Sequence, residues 1–169
     1  KILIIGAIIR LALAPFLSHP HDVFFWYKSG TDVVYGVSPL DPLLRHYLYP
    51  PLWLYTVTPI SFAYTFLSGV VGIQPLPALA YSSSLWEFLW TRPAEPVIVD
   101  GLFCFLVKLP MILADIGVGV LLCDAVRKIT NDEKKARLAL IMWYLNPFVI
   151  WVSSCWGMFD SIPTFFALL

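Results

Sequence analysis

Long apolar runs with few charges constrain this chain more than any other feature. The strongest run covers residues 98–126 and has only Lys108 and Asp115 in its interior. A bilayer core of about 30 Å needs about 20 helical residues, so this run is long enough to cross a membrane. Charged residues make up 13% of the 169 residues, whereas soluble domains carry about 25%. The sequence therefore predicts an all-α, polytopic membrane protein.

The apolar runs divide the chain into spans and one long loop. We predict spans near residues 2–17, 98–126 and 138–153, and another that begins at residue 162. Residues 19–96 form an outer loop rich in proline and aromatic residues. Within it, Leu52 to Ile73 is long enough to cross. The proline, serine and glutamate content of residues 50–96 favours a pair of helices embedded in the outer interface over a hairpin of two spans. With no internal repeats, residues 1–169 are interpreted as the N-terminal part of one transmembrane domain.

The loop charges predict an orientation. The segment from Arg127 to Arg137 is the only strongly basic loop, and basic short loops face the cytoplasm. The Trp156–Asp160 segment, one span later, is then extracytoplasmic. Asp22 lies on the same side if the loop crosses an even number of times. We expect an integral membrane protein, of the plasma membrane or the endoplasmic reticulum, whose active site is on the extracytoplasmic face.

Two carboxylates at the ends of apolar runs are the candidate catalytic residues, because such a charge is costly unless it serves water, a partner or a substrate. Asp22 is a candidate general base, or a group that orients a substrate hydroxyl. Its alternative is the N-cap of a helix that begins near Val23. Asp160 follows Gly157, which could let a ligand approach the backbone. Its alternative is a cap before Ser161.

The two charges inside the strongest run lead to different predictions. Lys108 and Asp115 are seven residues apart, on one helix face but about 10 Å apart along the axis, too far to pair directly. Lys108 lies toward the outer end and is a candidate ligand for a lipid phosphate, or else extends to the interface. Asp115 lies deeper, and we expect it to pair with Asn146 or Arg10 of a neighbouring span.

Aromatic and basic residues near the outer boundary are candidate substrate contacts. Trp26, Tyr49 and Trp156 have rings that pack on sugars or lipids. Arg45 is an outer cation that can meet a phosphate.

The sequence predicts no metal site and no nucleic-acid partner. His19, His21 and Asp22 are ligand types that suit divalent ions. Pro20 separates the two histidines, however, and no fourth ligand is visible. A divalent cation is therefore the one cofactor that the sequence leaves open. The net charge of zero gives no basic footprint for nucleic acid.

Four groups of residues, taken in order, resemble motifs of the GT-C superfamily of integral-membrane glycosyltransferases. The closer likeness is to the mannosyltransferases of GPI-anchor and N-glycan assembly and their prokaryotic relatives. The groups are Asp22 with Phe25-Trp26 and Gly36-x-Ser38-Pro39-Leu40-Asp41; Tyr49-Pro50-Pro51-Leu52; Lys108-Leu109-Pro110 with Asp115-Ile116; and Leu145-Asn146-Pro147 with Trp156-Gly157-x-Phe159-Asp160-Ser161-Ile162. They cover most of the chain. One departure is His21-Asp22, where some relatives carry paired acids.

The resemblance implies a GT-C-like fold with interface helices in the first outer loop. It implies transfer of a hexose, with mannose favoured, from a polyprenyl-phosphate donor to a glycolipid or glycan on the extracytoplasmic face. Asp22 would then be the catalytic base or would orient the acceptor. Two alternatives remain. A transporter or lipid flippase would use Asp115 and broken helices at Pro59 and Asn146-Pro147 as a mid-membrane path. A structural membrane subunit would tolerate loss of Asp22 and Asp160.

Overall fold

The chain folds into helices wherever the structure is described. The computed structural model describes residues 1–38, 50–72 and 100–169. The helices in these ranges are α1 (Ile2–Leu13), α2 (Pro20–Val34), α3 (Pro51–Val71), α4 (Gly101–Thr130), α5 (Glu133–Tyr144), α6 (Pro147–Trp156) and α7 (Ser161–Leu168). The predicted all-α class is confirmed for this part of the chain. Residues 1–19 and 104–169 form one compact unit, called unit 1, and residues 20–103 belong to the other, unit 2.

Two helices in the described ranges, α3 and α4, are long and apolar enough to cross a membrane. A third span is added if α5 and α6, which meet at a bend of 42°, are counted as one. These helices are compatible with an integral membrane protein, as predicted. The predicted number of four spans exceeds what they support.

The first predicted span, residues 2–17, is longer than the helix that forms. Helix α1 has 12 residues and ends at Leu13. At 1.5 Å per residue it is about 18 Å long, which is less than a bilayer core. Its C-cap, Ala14, still has helical dihedral angles, but Pro15 follows and has no backbone N–H to continue the helical hydrogen bonds.

The predicted span 138–153 is a pair of helices and not a straight one. Pro147 begins α6, where its missing N–H costs nothing. The Asn146 side chain caps α6 by accepting a hydrogen bond from the N–H of Phe148 at 2.9 Å. The Asn146-Pro147 pair therefore ends one helix and begins the next.

Most of the basic segment 127–137, predicted as a loop, is helical. Helix α4 continues to Thr130, and α5 begins at Glu133. Between them Asn131 has φ +51°. The Asp132 side chain caps α5 by accepting hydrogen bonds from the backbone N–H groups of Lys134, at 2.8 Å, and Lys135, at 3.3 Å. The connection is short because both ends of it carry good capping residues.

The polar residues of α3 do not interrupt it. The hydroxyls of Thr56 and Thr58 donate to carbonyls of their own helix, at 3.0 and 2.9 Å. Such internal bonds are how threonine is accommodated where water is absent. The 21 residues of α3 make about 31 Å of continuous helix. This length favours a membrane span for α3, whereas the sequence favoured a helix embedded in the interface. Residues 73–96, the rest of the predicted interface or hairpin region, lie outside the described residues.

Unit 2 packs α2 against α3 through aromatic rings and one close approach. Trp26 meets Trp53 edge to face, with 5.1 Å between ring centroids. The helix that the sequence places from near Val23 is α2, which begins earlier, at Pro20. Gly30 lets the two helices come close, since a Cβ at this position would overlap the hydroxyl of Ser61.

Replacing Gly30 with alanine should destabilise the α2–α3 packing. We expect a loss of about 1–3 kcal/mol, typical of an extra carbon in a filled core. The matched control is Gly69→Ala, where an added Cβ meets nothing within 4 Å among the described residues, so its effect should be neutral or stabilising. Thermal unfolding of the purified full-length protein in detergent checks both variants; an equal effect of the two would contradict the close approach.

Candidate functional site

A buried carboxylate links the helices of unit 1. Asp115 of α4 accepts a charged hydrogen bond from Nε of Arg10 at 2.9 Å. It also accepts hydrogen bonds from the hydroxyls of Ser153, at 2.6 Å, and Ser161. We call these four residues the Asp115 cluster. Both charged side chains are fully buried, so the pair and its hydroxyl donors replace much of the solvation that water would give.

Arg10 extends the Asp115 cluster to α5. Its Nη1 donates to the carbonyl of Tyr144 at 2.8 Å, and its guanidinium lies 4.2 Å from the centre of the Tyr144 ring. Cation–π attraction of this kind is stronger when both groups are desolvated. Gly6 permits the approach, because a Cβ there would overlap the same ring.

The predicted partner of Asp115 is confirmed for Arg10 and wrong for Asn146. Asn146 uses its side-chain oxygen to cap α6. A guanidinium is the better partner in any case, since it brings the opposite charge. Asp115 and Lys108 were expected not to pair directly, and their hydrogen bonds go to different partners.

Lys108 is buried and binds backbone carbonyls. Its ammonium donates to Ala14 at 2.9 Å, to Leu17, and to Cys155 at 3.4 Å. An ammonium has three N–H donors, so these three bonds use all of them. Two of the acceptors follow the end of α1 and the third lies in the last turn of α6, where carbonyls lack helical partners and favour a cation.

This position corrects one expectation for Lys108 and leaves another open. The side chain is fully buried and does not extend to an exposed surface, as the alternative interpretation supposed. A phosphate would have to displace a carbonyl to reach the ammonium. The role of Lys108 in holding a lipid phosphate therefore stays a prediction.

The Trp156–Asp160 segment begins where α6 ends. Residues Trp151–Trp156 form a π-helical turn, and such turns recur at functional sites. Gly157 stops it in a left-handed conformation, with φ +87°, and donates to the carbonyl of Val152 at 2.9 Å. This left-handed cap explains the glycine, because other residues adopt that conformation with difficulty. The predicted approach of a ligand to Gly157 is untested.

Trp156 keeps part of its ring at the surface of unit 1. It is 42% exposed, and the His19 ring stacks on it with 5.3 Å between centroids. The backbone N–H of His19 donates to the carbonyl of Trp156 at 2.9 Å. The chain after α1 thus fixes the indole while part of the ring stays exposed, and its predicted contact with a sugar or lipid stays a prediction.

Asp160 is exposed and does not use its carboxylate as a cap. It is the N-cap residue of α7, but its side chain makes no capping hydrogen bond. Its backbone carbonyl instead accepts from the Thr164 hydroxyl at 2.8 Å. The interpretation of Asp160 as a capping side chain is therefore wrong, and its candidate chemical role stays a prediction.

Asp22 and Trp26 belong to unit 2. Asp22 lies in the first turn of α2, where a negative charge is favourable, but it is not the N-cap, because the helix begins two residues earlier, at Pro20. Trp26 is fully buried and packs on Trp53. The structure thus gives Trp26 a core position, and its predicted contact with a substrate stays untested.

Sequence reasoning missed one polar pair in unit 2. Asp100 caps α4 by accepting from the N–H groups of Leu102, at 2.9 Å, and Phe103, at 3.2 Å. Its second oxygen accepts the hydroxyl of Tyr64. An aspartate just before a long apolar run is a helix-start signal that would have found the cap. Tyr64 has no such signal, because it lies within an apolar run.

Three predicted features fall wholly or partly outside the description. Arg45 and Tyr49, predicted to meet substrate, lie outside the described residues, as does the side chain of His21. Among the described side chains, no three His, Cys, Asp or Glu residues are grouped as metal ligands.

Comparison of the chain with protein-family models, with curated proteins and with solved structures gave no match. The resemblance to GT-C glycosyltransferases therefore depends on the motifs alone.

Breaking the Arg10–Asp115 pair should destabilise the protein strongly. We expect Arg10→Met and Asp115→Leu each to cost about 3–5 kcal/mol, because each leaves one buried charge without its partner. The double variant should lose much less than the sum. Unfolding of the full-length protein in detergent measures this double-mutant cycle.

The control for this cycle is Asp124→Leu, a change on the same helix α4 at a partly exposed acid that pairs with Lys128. An exposed pair contributes little, so we expect little change. Additive losses in Arg10→Met and Asp115→Leu would show that the two buried charges are not coupled.

Lys108→Met should lower the thermal midpoint, because three buried carbonyls lose their donor. If Lys108 holds substrate phosphate instead, the same change should raise the KM for the donor and leave the thermal midpoint near wild type. Measuring both quantities on one preparation separates the two roles, and Lys134→Met is an exposed-lysine control.

Proposed function

We propose that this chain is part of a membrane glycosyltransferase that moves a hexose, with mannose favoured, from a polyprenyl-phosphate donor to a glycolipid or glycan. The reaction takes place on the extracytoplasmic side in this proposal. Besides the motifs, one contrast between acids in unit 1 supports it. Asp115 is buried and fully engaged, whereas Asp160 is exposed beside an aromatic segment, with no capping bond from its side chain.

That contrast matters because the competing functions need different acids. A transporter with a mid-membrane path needs a deep carboxylate that is free to exchange partners. Asp115 already accepts three hydrogen bonds, one of them from a guanidinium. An enzyme acting at the membrane boundary needs an accessible acid there, together with surfaces that pack on a sugar, and Asp160 and Trp156 are of these types.

The proposed chemistry is substitution at the anomeric carbon of the donor sugar. The acceptor hydroxyl oxygen forms the new bond to that carbon as the carbon–oxygen bond to the phosphate breaks, and the polyprenyl phosphate leaves with the electron pair. Asp22 takes the proton of the hydroxyl. Asp160 orients a substrate hydroxyl, and Trp156 packs on the sugar or lipid. A cation, Lys108 or Arg45, stabilises charge on the leaving phosphate.

Transfer by the full-length protein in membranes, from a labelled polyprenyl-phosphate mannose, tests the proposal. We expect wild type to transfer mannose and Asp22→Asn to be slower by about 10²–10⁴, the range that a general base supplies. Asp160→Asn should also slow transfer. Each variant must insert at the wild-type level for the comparison to count.

The matched control is Asp32→Asn, which removes an acid from the same helix as Asp22. Asp32 forms an ion pair with Lys28 at 2.7 Å, and we expect near-normal transfer. Unchanged transfer in Asp22→Asn would remove this residue from the mechanism and leave Asp160 as the candidate. If wild type transfers nothing from this donor, the proposed donor or class is wrong, and a transport assay follows.

A further inference from the structure

An open cavity of about 250 Å³ lies where α4 and α5 meet the start of α1. Three basic side chains line it, those of Lys1, Arg127 and Arg137, against one acid, Glu133. The excess of positive charge makes the cavity suitable for an anion.

A second, larger cavity adjoins the first and is mostly apolar. Its volume is about 530 Å³, and it shares Glu133 and Arg137 with the basic cavity. Leu138 and Ile141 of α5 supply its apolar lining, Lys134 is its remaining lining residue, and Leu138 is 54% exposed. The surface therefore passes from charged to apolar at Arg137.

The cations are not equally available to a ligand. Arg127 is held by Glu133, with Nε–Oε1 and Nη2–Oε2 distances of 2.5 and 3.2 Å. In the described part of the chain, Arg137 and Lys1 form no ion pair with a carboxylate. Glu133 thus neutralises one of the three cations, and Arg137, which lines both cavities, keeps its charge for a ligand.

We propose that these two cavities bind one anionic phospholipid, with its phosphate at Arg137 and the basic cavity and an acyl chain along Leu138 and Ile141. A lipid fits better than a soluble anion because the charged and apolar cavities are continuous. It also matches the apolar, span-length helix α4, on which Arg127 lies. Basic pockets at the ends of transmembrane helices bind acidic headgroups by this chemistry. The site does not depend on the proposed glycosyl transfer.

Native mass spectrometry of the full-length protein, released from vesicles of phosphatidylcholine with phosphatidylglycerol, tests the lipid site. We expect wild type to retain phosphatidylglycerol in preference to phosphatidylcholine. Arg137→Gln should weaken that retention about fivefold, as expected for one basic residue near an anionic headgroup. The control Lys135→Gln removes a charge from the same helix outside both cavities, and retention should stay near wild type.

A variant that is expected to bind more lipid tests the proposal in a way that misfolding cannot imitate. Glu133→Gln removes the only acid lining either cavity and releases Arg127, so retention of phosphatidylglycerol should rise. Equal losses in Arg137→Gln and Lys135→Gln would overturn the proposal by showing a general surface-charge effect. Displacement of the lipid by inorganic phosphate at equal concentration would also overturn it, since the apolar cavity would then contribute nothing.

Discussion

The ion pair between Arg10 and Asp115 is the interaction on which unit 1 depends. Its partners come from α1, α4, α5, α6 and α7, so every helix of unit 1 contributes one group. Each charge would be prohibitively costly alone in apolar surroundings. The cost is avoided only when the helices are packed in this arrangement, so the pair selects one packing among those that apolar faces alone would allow.

Lys108 also satisfies polar groups in apolar surroundings, in this case backbone carbonyls near the ends of two helices. The carbonyls after α1 and at the end of α6 have no helical partners, and an apolar environment offers them no water. One ammonium satisfies three of them, and so connects α4 to the chain after α1 and to Cys155, the residue just before the Trp156–Asp160 segment. The exposed part of this segment therefore rests on a fixed base, which is what a binding surface requires.

The sequence predicted that a buried charge needs a partner better than it predicted which groups bind the ends of helices. A lone acid in an apolar run needs a partner, so Arg10 and Asn146 could be named as candidates for Asp115 before any fold was known, but the sequence could not choose between them. The sequence predicted a break at Asn146-Pro147 only under the transporter alternative, and residues 138–153 were otherwise predicted as one span. The partners of Lys108 could not be predicted, because a carbonyl acceptor has no sequence signature. The roles of Asp22 and Asp160 are untested by the fold, since exposure and position do not define a reaction.

The charges along α4 suggest how unit 1 is arranged across a membrane. Lys108 and Arg127 are 19 residues apart, about 28 Å along the helix, which is close to the thickness of a bilayer core. Asp115 lies between them and is neutralised by Arg10. The two ends differ in their surroundings. The Lys108 end is next to the Trp156–Asp160 segment, which has aromatic groups and an exposed acid, and the Arg127 end lines the basic cavity. In the two proposals, the lipid headgroup binds near the Arg127 end of α4 and Lys108 lies about one bilayer core away, so lipid binding at one end does not obstruct the other.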